Sequence, residues 1–143
     1  MLAEALEQFS VFGNLTAMKS EVSLGAGRAA STNAKRSLVG QSPYVLNTGL
    51  TYSSRGGRGS ATLLYNRVGD RVVAAGSEPL PDMIEHPRDV LDFSLRLPLG
   101  SAVAARLDAK NLLDARYRVT QGTVTTEAYN TGRALSLGFT WQP

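Results

Sequence analysis

Large apolar side chains recur at every second position along most of this chain, a spacing that turns an extended backbone into a strand with one greasy face and one polar face. The signal is cleanest near the end, where Leu135, Leu137, Phe139 and Trp141 alternate with Ala134, Ser136, Gly138 and Thr140. Upstream, Val103, Ala105, Leu107, Ala109, Leu113, Ala115, Tyr117 and Val119 share one parity. Against them stand Arg106, Asp108, Lys110, Asp114, Arg116, Arg118 and Thr120, which predicts one long strand with a charged second face. Leu91, Phe93, Leu95 and Leu97 alternate with Asp92, Ser94 and Arg96 in the same way. Weaker alternation runs from Tyr44 to Tyr52, around Leu63 and Tyr65, and from Phe9 to Ala17, with Phe12, Leu64 and Val68 as exceptions. Together these segments predict about six strands.

Composition narrows the class further. The chain is 43% apolar, yet no segment reaches the roughly eighteen continuous apolar residues of a membrane-crossing helix. Cysteine is absent, which excludes a disulfide framework, a thiolate metal site and a cysteine nucleophile. The net charge is +3, but the basic residues are dispersed and no aromatic side chains interleave with a basic cluster, so nucleic acid is not an expected partner. The segment Met1-Leu2-Ala3-Glu4 lacks the basic and apolar regions of a secretory leader, so the expectation is either a cytosolic protein or one whose beginning has been cut away.

The predicted connections alternate in length. Residues 53–59 and 98–101 are tight-turn sequences, whereas residues 25–41, 74–87 and 121–127 read as longer loops. Membrane barrels have this asymmetry, with short periplasmic turns and longer extracellular loops. A soluble sandwich also alternates its faces, but a strand from Val103 to Val119 exceeds the five or six residues usual in globular sheets. The fold class expected is therefore all-β, an antiparallel meander of about six strands forming a segment of a large transmembrane β-barrel. Six strands are too few to close a barrel alone. Leu91, Phe93, Leu95, Leu107, Tyr117, Leu135, Leu137, Phe139 and Trp141 are the lipid-facing candidates. Asp92, Arg96, Arg106, Asp108, Lys110, Arg116 and Arg118 are the lumen-facing candidates, with ion pairing between neighbouring strands as their expected role.

Several ordered motifs carry a resemblance over nearly the whole chain. They are Phe12-Gly13-Asn14-Leu15-Thr16 with Lys19-Ser20-Glu21, Pro43-Tyr44-Val45-Leu46-Asn47-Thr48-Gly49-Leu50, and Leu63-Leu64-Tyr65-Asn66-Arg67-Val68-Gly69-Asp70-Arg71. Pro87-Arg88-Asp89-Val90-Leu91-Asp92, Lys110-Asn111-Leu112-Leu113-Asp114 with Tyr117, and the closing run from Gly132-Arg133 to Trp141 follow. This succession resembles the last strands of the TonB-dependent outer-membrane receptors, with the Asn-Leu-Leu-Asp segment on the penultimate strand. The resemblance implies that residues 1–143 are the C-terminal part of such a barrel, without its plug domain and earlier strands. Met1 would then be an artificial start, a misassigned gene start or the opening of a split subunit.

The implied function is barrel wall in a receptor of the bacterial outer membrane for TonB-energised uptake of a siderophore, vitamin or glycan. The implied partners are outer-membrane lipid and lipopolysaccharide, the remainder of the barrel and plug, the barrel-assembly machinery through the last strand, and TonB only through the missing N-terminal part. Where the family usually ends on an aromatic residue, Gln142 and Pro143 follow Trp141 here. A different outer-membrane barrel and a soluble all-β binding module are the alternatives.

No enzyme activity, cofactor or metal is expected. The single histidine, His86, lies near Asp82 and Glu85 in a predicted loop, but the spacing matches no strong ligand motif. An outer-membrane hydrolase using His86 would need a serine on a nucleophile elbow, and none is visible. Gly25-Ala26-Gly27-Arg28 lacks the following helix of a phosphate loop, and Arg28, Lys35 and Arg36 are candidates for contact with lipopolysaccharide phosphates.

Overall fold

The computed structural model describes residues 6–25, 31–56 and 58–142, so the chain start, Ala26-Gly27-Arg28 of the glycine loop, Gly57 and Pro143 lie outside the described residues. The named elements are all strands: β1 (Phe9–Ala17), β2 (Val22–Ser23), β3 (Lys35–Arg36), β4 (Tyr44–Ser53), β5 (Ser60–Val68), β6 (Arg71–Ala74), β7 (Met83–Glu85), β8 (Arg88–Pro98), β9 (Val103–Lys110), β10 (Arg116–Gln121), β11 (Val124–Asn130) and β12 (Ala134–Trp141). The chain is all-β with antiparallel sheets.

Six long strands form the main sheet in the order β1-β4-β5-β8-β9-β12. At one end, the β4–β5 and β8–β9 connections are short, and they are closed by Ser54 N–H to the Gly59 carbonyl at 2.9 Å and Leu99 N–H to the Val103 carbonyl at 2.8 Å. Gly56 sits at φ 80°, a conformation that favours glycine. At the other end the connections are long, and they are folded. A second sheet, β11-β10-β7-β6, carries four of the long strands onward in matching order, β12, β9, β8 and β5. The ladder persists across the junction through His86 N–H to the Arg118 carbonyl at 2.9 Å and Leu112 N–H to the Leu91 carbonyl at 2.8 Å.

The strand predicted from Val103 to Val119 is therefore two strands. Asn111 and Asp114 take positive φ of 54° and 51°, which Asn and Asp tolerate better than other non-glycine residues, and the Asn-Leu-Leu-Asp segment is a turn between β9 and β10. The Asn111 side chain holds this turn by accepting from Ala115 N–H at 2.9 Å and donating to the Gly132 carbonyl at 2.7 Å. Residues 121–127, expected as a long loop, are instead the tip of the β10–β11 hairpin. Gln121 pairs directly with Val124 around Gly122 at φ 60°.

The described residues enclose almost no interior. Among the described residues only Val72, Ala109 and Val119 are buried apolar side chains. Leu135, Leu137, Phe139 and Trp141 are 64–74% exposed, and among the described residues no second layer covers either face of the six-stranded sheet. A soluble domain of this length commonly buries most of its large apolar side chains, and these lie open instead.

Candidate functional site: two faces of one sheet

Directly paired residues of antiparallel strands point to the same face, so the registers assign every side chain of the main sheet to one of two surfaces. On the first, Phe9, Tyr52, Ala61, Leu95, Leu107 and Leu137 form one row across all six strands. Val11, Leu50, Leu63, Phe93, Ala109 and Leu135 form the next. On the second, the row between them is Ser10, Thr51, Thr62, Ser94, Asp108 and Ser136. The lipid-facing candidates Leu91, Phe93, Leu95, Leu107, Leu135, Leu137, Phe139 and Trp141 all share the apolar surface. Tyr117 belongs to β10 in the second sheet, where it stacks on Tyr129 at 4.8 Å beneath the Arg88 guanidinium.

The apolar rows are oblique. On β1 and β4 the band runs from Phe9 and Tyr52 up to Ala17 and Tyr44, on β8 it runs from Leu97 to Leu91, and on β9 and β12 from Val103 and Trp141 to Ala109 and Leu135. Counted along the paired registers, its midpoint descends about one residue per strand. With a rise of about 3.3 Å per residue and about 4.8 Å between strands, a band level with a plane requires strands tilted by about 35°. That value falls at the lower bound of the tilt of membrane-barrel strands, about 35–45°.

Both borders of the band are marked. At the turn end lie Phe139, Trp141 and the Phe9–Tyr52 pair, ring centroids 5.2 Å apart. At the loop end of β5 and β8 the Arg67 guanidinium donates to Asp89 at 2.7 and 2.9 Å and to the Tyr44 hydroxyl at 3.0 Å, and the Tyr65 hydroxyl also donates to Asp89. Aromatic rings with polar tips, backed by charge, suit a boundary between hydrocarbon and water.

The charged candidates divide. Asp92, Arg96, Arg106, Asp108 and Lys110 are together on the polar surface of β8 and β9, whereas Arg116 and Arg118 lie on β10. The expected pairing between strands is not what forms. Arg106 bonds Asp108 at 2.8 Å along its own strand, Asp108 accepts from Ser94 across the ladder at 2.7 Å, and Arg96 faces Arg106. Asp92 accepts from Asn111 N–H at 2.8 Å, fixing the turn.

Sequence reasoning missed the loop-end contacts. Asp82 is buried and accepts from Gly76 N–H at 2.7 Å, the Asn33 amide at 2.8 Å and Arg36 at 3.3 Å. It thereby ties the β1–β4 connection to the β6–β7 hairpin. Burial opposes ionisation of Asp82, but these three donors outweigh it and hold the carboxyl below its usual range. Arg36 is thus committed to Asp82, and Lys35 to Glu21 at 3.0 Å.

Asp82, Glu85 and His86 do not converge as metal ligands, because Glu85 bonds Arg71 at 2.6 Å and His86 turns to Thr120 and Asp70. Among the described residues no group of three metal-ligating side chains is present. His86 Nε2 is 2.9 Å from the Thr120 hydroxyl and Nδ1 is 3.3 Å from Asp70, a hydroxyl–imidazole–carboxylate succession. Thr120 is only 6% exposed, however, so its oxygen is closed to a substrate.

No helix among the described residues is long and apolar enough to cross a membrane. No protein family, curated protein or solved structure matches the chain.

Proposed function

We propose that the chain is a stretch of wall in an outer-membrane β-barrel, its apolar surface against lipid and its polar surface toward a wet lumen. The observation that carries this reading is the oblique apolar band. It is exposed on the outer strands and mostly half-buried between them, crosses all six strands, has aromatic borders and descends at the pitch that a tilted barrel wall requires. In a soluble sandwich the same side chains would meet a second sheet about 10 Å away, and among the described residues none packs there.

The edges β1 and β12 leave backbone groups without partners, which in hydrocarbon costs several kcal/mol per group. Further barrel strands are the partners that remove this cost. The motifs quoted above resemble those of the TonB-dependent receptors and support that type of barrel, in which the wall and three extracellular connections would serve energised uptake of a siderophore, vitamin or glycan.

The test is refolding of the chain with and without amphiphile. Far-ultraviolet circular dichroism should report sheet, and a protease-resistant core should survive digestion, only in detergent micelles or phospholipid vesicles. A compact, protease-resistant monomer in plain buffer would overturn the proposal.

A further inference from the structure

We propose that the polar surface around Phe12 is a binding platform for a neutral pyranose oligosaccharide; this rests on reading that surface as the wet side of the wall. The Phe12 ring lies over Gly49, which is buried beneath it and which no side chain could replace without displacing the ring. Phe12 itself remains 48% exposed. An aromatic face held flat on a sheet and open to solvent is suited to the apolar C–H face of a sugar ring, which it contacts by dispersion and desolvation.

Polar groups flank the ring on both sides at the spacing of one strand repeat, about 6.6 Å. Toward the loop end Asn14, Asn47 and Asn66 pair in one row across three strands. Asn66 donates its amide to Asn47 Oδ1 at 2.6 Å, and among the described residues the Asn47 amide nitrogen and the Asn66 side-chain oxygen have no other partner. A free amide donor and a free amide acceptor in one row suit sugar hydroxyls, which both accept and donate. Toward the turn end the Thr51 and Thr62 hydroxyls bond each other at 3.2 Å. A site with an aromatic floor and a few fixed polar groups has the usual make-up of a small-ligand surface.

Charge selects the occupant. On this face β1, β4 and β5 carry no ionisable side chain, whereas β8 and β9 carry Asp92, Arg96, Arg106, Asp108 and Lys110. A charged ligand would find its partners on the latter strands, and a neutral, hydroxyl-rich one on the former.

The experiment uses the full chain, folded in a zwitterionic detergent without a sugar headgroup and checked by circular dichroism. Saturation-transfer NMR and calorimetric titration are run with maltohexaose, an oligogalacturonate and an uncharged Gly/Ser peptide. Maltohexaose should bind in preference to the other two, Phe12→Ala should weaken it at least about fivefold, and Phe12→Trp should retain it. Should Phe12→Ala fail to fold, the double variant Asn47→Ala with Asn66→Ala, at polar positions away from the ring's contact with Gly49, should give the same loss. No maltohexaose binding by the folded chain, equal or better binding of the acidic sugar or the peptide, or indifference to these substitutions would overturn the platform. Each of those results leaves detergent-dependent folding, and with it the wall reading, standing.

Discussion

Placing an arginine at Leu137 should be far costlier than placing one at Ser136, although the two positions are neighbours. Leu137 faces Leu107 on the apolar surface, and Ser136 faces Asp108 on the polar one. The apolar run of β12 extends from Trp141 to Leu135, so its midpoint falls one residue from Leu137, about 3 Å in depth for a strand tilted by about 35°. An arginine that close to the bilayer midplane costs about 2–4 kcal/mol, equivalent to roughly a 30- to 1,000-fold loss in the folding equilibrium. At Trp141, three residues from the midpoint, the cost should decline to about 1 kcal/mol. Ser136→Arg puts its guanidinium beside Asp108 in water and should change stability by less than about 1 kcal/mol. Equilibrium urea titration in phospholipid vesicles measures all three, with Trp141 as reporter for the first and last and circular dichroism for the Trp141 variant. Equal costs at positions 136 and 137 would refute the assignment of the two faces.

Trp141, the sole tryptophan, should shift its emission to shorter wavelength on insertion and be quenched by nitroxides attached near the lipid headgroups more than by those near the acyl-chain ends. Asp82→Ala should free the β1–β4 connection from the β6–β7 hairpin at a cost of about 3 kcal/mol, seen as faster hydrogen exchange at Thr32 and Gly76. Because the carboxyl of Asp82 is held below its ordinary value near ~4, the latch's contribution should be complete above that pH and fade as pH falls through the lower folded value. Gly49→Val should force the Phe12 ring away and destabilise by about 1–3 kcal/mol; combining it with Phe12→Ala should recover part of the loss, a coupling that thermal melts of the single and double variants would reveal.

The six long strands were legible because their apolar residues recur with period two, most weakly in β5, where only Leu63 and Tyr65 carry the alternation, and without interruption in β12, β8 and β9. The short strands were not. β7 has three residues, too few to display a period, and β11 has small and polar side chains on both parities apart from Val124 and Tyr129, which fall on opposite parities. The division of β9 from β10 was hidden because Leu113, Ala115 and Tyr117 continue the parity of β9 through a segment whose backbone turns at Asn111 and Asp114. Which charged residues would meet was also out of reach, since Arg96 opposite Arg106 is a matter of register and alternation is silent on register. Asp82 gave no local sign of its role, because its side-chain partners Asn33 and Arg36 lie 49 and 46 residues away. Phe12 and Leu64 broke the pattern in the sequence, and both stand on the polar surface in one row with Gly49.

The meander alternates direction at every step, so β1 and β12 run opposite ways. Continuing the alternation around a ring returns to β1 in the correct sense only if the strands supplied by other segments are even in number. Closure by a lone extra strand would place two parallel neighbours at the seam, with slanted bonds where the rest of the wall has perpendicular ones. A barrel of the proposed kind would therefore take its remaining strands in even number, as hairpins supply them.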